Sequence, residues 1–252
     1  MAKLIPGIHN YCDRWCERCA FVQRCAVGIE DLKLTDKQRD INNKEFWDTL
    51  SKSFEKTFKL LEKAAKHYGI DINEIAKEDD EEFGKKRANK RERQKNHFLF
   101  TGGTRYADLV HEWLGKQDSL KQKGGEITRL VELGIKSEKE ALKEINTLQE
   151  CLEVVNWYSF QISVKFARAL SGKEEDDKWF EENDFPKDSD GSAKVALIGI
   201  DRSMAAWAKI SEFFPEREDE VLTMLGLLDK LRRVGEEEFP DARKFKRPGF
   251  DD

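Results

Sequence analysis

Between Ser137 and Gly172 the chain runs through thirty-four residues without a proline or a glycine. Ser137 and Glu140 open this stretch as a capping box, in which the hydroxyl meets the N3 amide and the carboxylate turns back to the cap N–H. Gly172 supplies the stop. At roughly 1.5 Å per residue, a helix over 138–171 is about 50 Å long. Its second half, Val154 to Leu170, is apolar on more than one face, which places it at the centre of a bundle rather than on a surface.

The rest of the 252 residues suits such a bundle. Proline occurs five times and glycine sixteen times, while apolar and charged residues each make up 38%, the balance expected of long helices with solvated faces. Apolar residues at three- and four-residue steps (Phe46, Trp47, Leu50, Phe54, Phe58, Leu61, Ala65, Tyr68) predict a core helix over 36–68, capped by Thr35 or Asp36 and ended by Gly69. Further helices are expected over 104–121 and 126–133, separated by Gly124-Gly125, and over 192–214 and 216–234. The fold class is therefore all-α, a bundle of about six helices. Residues 1–34 form a cysteine-bearing segment, 35–235 the bundle and 236–252 a tail whose Phe239, Phe245 and Phe250 should dock. The acidic stretch Lys173 to Gly191 is too long for a helix–helix turn and is expected to lie over the bundle as a lid.

Four of the five cysteines, Cys12, Cys16, Cys19 and Cys25, fall within fourteen residues in the pattern C-x3-C-x2-C-x5-C. On a helix the first three would share a face as small buried hydrophobes, but packing alone is a poor reason for such clustering. Short loops gather thiolates for a soft metal at low entropic cost. Arg14, Arg18 and Arg24 between them would offset the thiolate charge. Zinc usually draws two knuckles from separated places, whereas cubane clusters are often held by closely spaced cysteines. A [4Fe-4S] cluster is thus expected ahead of Zn, with His9 as a possible substitute ligand.

The run Cys16-Glu-Arg-Cys19-Ala-Phe-Val-Gln-Arg-Cys25 resembles the C-x2-C-aromatic-C motif of iron–sulfur nucleases that act in CRISPR adaptation and recombinational repair. It is similar too to auxiliary-cluster segments of some radical-SAM enzymes. Both resemblances imply that the run supplies three ligands of a [4Fe-4S] cluster. They cover ten residues. The radical-SAM barrel also needs a strand–helix series that this chain lacks.

Other chemistry is sparse. Thr101-Gly102-Gly103-Thr104 before a helix would expose N–H groups to an anion, although capping explains it equally well. The basic run Lys85, Lys86, Arg87, Lys90, Arg91, Arg93 and Lys95 follows the acidic block 78–82, which fits a solvated helix better than a nucleic-acid groove. With a net charge of −5, nucleic acid is not the favoured partner. No run is long enough to span a bilayer, and a cytoplasmic location is expected. A di-iron carboxylate site needs two Glu-x-x-His pairs, and the nearest approach is the single Asp108-x-x-His111. Asp201 and Arg202 interrupt an apolar helix, and a buried charge needs a partner, so Asp201 should meet Arg168, Lys165 or another base. These residues are the candidate polar site. The expected function is a metal-binding helical protein, the metal structural or redox-sensing, with the bundle as an interaction module for a protein or small molecule. An iron–sulfur enzyme or nucleic-acid-processing protein with a site around Asp201, Arg202 and Arg168 is the alternative.

Overall fold

A computed structural model describes residues 3–69, 81–173, 182 and 186–251. Among these residues there are nine α-helices and no strand, so the all-α expectation holds. None of the helices is long and apolar enough to cross a membrane. The helices are α1 (Ala26–Leu32), α2 (Asp36–Arg39), α3 (Lys44–Tyr68), α4 (Glu81–Asn96), α5 (Phe98–Gly115), α6 (Gln117–Glu132), α7 (Glu138–Gly172), α8 (Asp188–Phe213) and α9 (Glu218–Glu238). The chain divides into two compact units, Met1–His9 with Cys16–Lys90, and Asn10–Trp15 with Arg91–Asp252.

In the first unit the expected helix over 36–68 is broken. Thr35 and Gln38 form a complete capping box on α2, the chain turns at 40–43, and Asn43 caps α3 through a bond from the Glu45 amide. Gly69 ends α3 in the left-handed region at φ 68°, which a residue with a Cβ rarely adopts. The expected core role of this helix is overturned. Ala65 is its one buried residue, while Trp47, Phe54, Phe58, Leu61 and Tyr68 are all more than half exposed. Among the described residues, the unit's other helices are too short or too polar to hide so long an apolar stripe.

The second unit is the bundle, with α7 at its centre. Both halves of the Ser137/Glu140 capping box are formed, and α7 packs against α8, α5 and α6. Tyr158, Ile162, Phe166 and Ala169 of α7 are almost wholly buried, as are Leu197, Ile200 and Trp207 of α8. The Trp207 indole donates to the Tyr106 hydroxyl at 2.9 Å, and Trp113 stands edge-on to Trp207 and Phe214 with ring centroids 5.1 and 5.4 Å away. Such aromatic pairs add roughly 0.5–1.5 kcal/mol beyond area burial. Phe239, Ala242 and Phe245 of the tail are buried, and the short 3-10 turn Ala242–Lys244 packs on α8.

Three glycine readings are corrected. Gly102 and Gly103 lie inside α5, not in a loop before it, and both are buried, so their amides are used in the helix and hold no anion. Gly124-Gly125 does not break the chain, because α6 runs straight through it. Gly235 lies inside α9, which continues to Glu238. In each case tertiary contact or helix continuity outweighs a propensity difference of only about 1 kcal/mol per glycine. The helix expected from 192 starts at Asp188. Most of the expected lid between 173 and 191, and residues 78–80 of the acidic block, lie outside the described residues.

Candidate functional site

The cysteine-bearing segment is a chain of short turns rather than one helix. Cys16–Arg18 and Val22–Arg24 are single 3-10 turns. The Cys19 amide donates to the Cys16 carbonyl at 3.2 Å, and the Cys25 amide to the Val22 carbonyl at 3.3 Å. One such turn therefore joins Cys16 to Cys19. Cys25 is buried and occupied locally. It is the N-cap of α1, and its Sγ accepts the Gly28 N–H at 3.3 Å, which satisfies a helix-end donor that would otherwise go unpaired.

None of the five cysteines is in a disulfide. Among the described residues no three His, Cys, Asp or Glu side chains are gathered closely enough to hold a metal ion. The convergence expected of Cys12, Cys16, Cys19 and Cys25 is thus absent from this conformation.

The residues beside Cys12 are held by a polar clamp on the bundle. The Asp13 carboxylate accepts the Tyr158 hydroxyl at 2.5 Å and Arg202 at 2.9 Å through Oδ2, and the Trp15 amide at 3.3 Å through Oδ1. Arg202 also donates to the Tyr158 oxygen. The Asp13 carbonyl accepts the Trp157 indole N–H at 2.9 Å, and Trp15 stacks on Trp157 with centroids 4.9 Å apart and planes 15° from parallel. Between these two anchored residues Arg14 adopts φ 59°. A non-glycine residue there costs roughly 1–3 kcal/mol unless its surroundings hold it, and here both neighbours are fixed. Burial, reinforced by the hydrogen bond to Asp13 and its negative charge, pushes the Tyr158 phenol well above its ordinary value.

A second tie lies alongside. Tyr11 donates to Asp188 at 3.0 Å, and Arg168 grips the same carboxylate at 2.6 and 3.1 Å while donating to the Asn10 carbonyl at 3.1 Å. Burial first, and then the Asp188 carboxylate, raise the Tyr11 phenol to about 12. Lys165 is 7% exposed. Burial holds its ammonium below the ordinary lysine value, with Cys12 and Asp13 opposing that shift and Arg168 and Arg14 adding to it.

The sequence candidates are placed as follows. Lys165 is buried, whereas Arg168 is exposed. Asp201 is not buried, and its partner is Arg243 at 2.5 Å, which also holds Glu236. Arg202, next in sequence, goes to Asp13 instead, so Asp201, Arg202 and Arg168 are each taken up in separate ion pairs. The described members of the basic run, Lys85, Arg91, Arg93 and Lys95, are solvated on α4. Asp13, Trp15, Trp157 and Tyr158 were not singled out by sequence reasoning. Their one signal is the pair Trp157-Tyr158 in the apolar half of α7, where aromatic polar tips need partners.

A cleft of about 300 Å³ lies between α6, α7 and α8, lined among others by Lys123, Lys136, Glu144 and Lys209. Its cations already pair with its own acids, as Lys123–Glu126, Lys136–Glu144 and Lys209–Glu212.

No protein-family model matches the chain, and neither a curated protein nor a solved structure is significantly similar to it.

Proposed function

We propose that the N-terminal thiols are the responsive element of an interaction module, taking a soft ligand or changing redox state while the bundle carries the response. The observation that supports this most is the clamp. Residues directly after Cys12 are tied to α7 and α8 through Asp13 and Trp15, so a rearrangement at the thiols strains a contact in the bundle core. The ligand class follows from the close spacing of the four cysteines along the sequence and from the single turn that joins Cys16 to Cys19. A [4Fe-4S] cluster is proposed first and Zn second. Binding would require the segment to close, and the Gly28 N–H can stay on the Cys25 sulfur as it ligates. A protein partner reading this change is part of the same proposal.

The test is purification and reconstitution without oxygen, followed by metal and sulfide analysis and absorption near roughly 400 nm. Stoichiometric iron and sulfide, lost together in a Cys16→Ser, Cys19→Ser variant, is the expected result. Stoichiometric zinc in a colourless protein would replace the cluster while keeping the module. A metal-free protein whose thiols oxidise without changing the Trp15–Trp157 signal in near-ultraviolet circular dichroism would overturn the reading.

A further inference from the structure

The cleft of about 300 Å³ between α6, α7 and α8 stands at the lower end of the volumes that take small molecules. At roughly 30 Å³ per water it has room for about ten waters, or for one ligand of similar bulk. Its apolar part is Ile127, Leu130 and Phe213. Ile127 is buried and the other two are half-buried, so an apolar group laid against them is withdrawn from water.

The polar part is balanced. Three lysines and three glutamates line the cleft, and their charges cancel. Lys123 pairs with Glu126 at 2.8 Å, Lys136 with Glu144 at 2.6 Å and Lys209 with Glu212 at 2.5 Å. A simple anion would meet a carboxylate beside every ammonium, and a simple cation the reverse, so the lining favours neither. A molecule that carries both charges suits it. Each ammonium has three donors and each carboxylate about four acceptor positions, and among the described residues one hydrogen bond joins each pair. Donors and acceptors are therefore left over for a ligand with its own two charges close together, and the pairs need not break to receive it.

Depth orders the contacts. Lys123 and Lys136 are each 21% exposed against 43% for Lys209, and Glu144, at 39%, is the least exposed of the three acids. Charges further from solvent are screened less. Lys123 and Lys136 are thus the stronger anchors for a carboxylate, and Glu144 for an ammonium.

We propose that this cleft binds a free α-amino acid with an apolar side chain. Its carboxylate lies on Lys123 and Lys136, its ammonium on Glu144, and its side chain against Ile127, Leu130 and Phe213. All of these residues belong to the bundle unit, so the site does not depend on what the N-terminal thiols bind.

The experiment is isothermal titration calorimetry of the full chain with L-leucine and with L-phenylalanine, each up to about 10 mM, which reaches dissociation constants in the millimolar range. Saturable binding of one amino acid per chain is the expected result. Both 3-phenylpropanoate, which lacks the ammonium, and 2-phenylethylamine, which lacks the carboxylate, should bind at least about tenfold more weakly than L-phenylalanine. Lys136→Gln and Glu144→Gln, made at a partly exposed pair, should keep the helix content of the wild type and each weaken L-phenylalanine at least about tenfold. No saturable binding of either amino acid to the wild type would overturn the proposal. Equal affinity for L-phenylalanine and its two single-charge analogues would overturn it too, since the charges would then go unread. Full affinity in both variants would place the amino acid somewhere other than this cleft.

Discussion

The Gly191 backbone and the Tyr11 ring are in direct contact, so that a Cβ built on Gly191 would fall 2.4 Å from the Tyr11 Cε1 atom. The same Cβ would lie 2.7 Å from Phe245. Tyr11 and Phe245 stand edge to face there, with centroids 4.6 Å apart. The first turns of α8 thus receive both the segment before Cys12 and the C-terminal tail at a single residue without a side chain.

Gly191→Ala should therefore destabilise the bundle by about 1–3 kcal/mol, the usual cost of overpacking, despite the better helix propensity of alanine. Chemical denaturation would show the lower midpoint, and limited proteolysis should reveal a released tail. An unchanged midpoint would mean that the two rings yield freely.

Two other glycines should respond with opposite signs. A Cβ on Gly103 would sit 2.9 Å from Ser163 Cβ and 3.0 Å from its Cα, so α5 and α7 would have to separate. Around Gly124 nothing lies within 4 Å. Gly103→Ala should cost about 1–3 kcal/mol, whereas Gly124→Ala should add up to about 1 kcal/mol through helix propensity and a less flexible unfolded chain. Melting temperatures of the two variants, moving in opposite directions from the wild type, check this.

At the clamp, Asp13→Ala should cost about 2 kcal/mol, because it takes the acceptor from the Tyr158 O–H and removes a charge-assisted bond. Arg202 is more than half exposed, so solvent screening limits Arg202→Ala to about 1 kcal/mol or less. Asp13→Ala should also weaken the near-ultraviolet signal of the Trp15–Trp157 stack. Equal losses in the two variants would contradict a clamp centred on Asp13.

Acid should release the tail. Lys194 meets Asp251 at 2.8 Å and donates to the Phe245 carbonyl at 2.5 Å, and Arg247 grips Asp251 at 2.9 and 3.0 Å. The Arg247 hydrogen bonds first, and then Lys194, hold the Asp251 carboxyl well below its ordinary 3.8. A depressed folded value means that this stabilisation is complete above the unfolded value and is lost as pH falls from there towards the folded one. The melting-temperature gap between wild type and Asp251→Asn should be constant above about pH 5 and close as pH falls towards about 2. A gap that persists in acid would show that the pair does not hold the tail.

What the sequence determined by itself was local. Hydrogen bonds between residues three apart write the capping boxes at Ser137 and Thr35, and the left-handed stop at Gly69 needs only a missing side chain. The helical class and the central position of α7 follow from the length and two-sided apolarity of a single segment. Tertiary structure alone decided the rest. It turned Gly103 into a point of close approach, left Gly124 as an ordinary helix residue, and divided Asp201 and Arg202 between different partners. It tied Asp13 to Tyr158 and Arg202, 145 and 189 residues away, and left the α3 stripe exposed. Those outcomes depend on what lies across the chain rather than along it. A periodic apolar face records that something will cover it, but not whether the cover belongs to the same molecule.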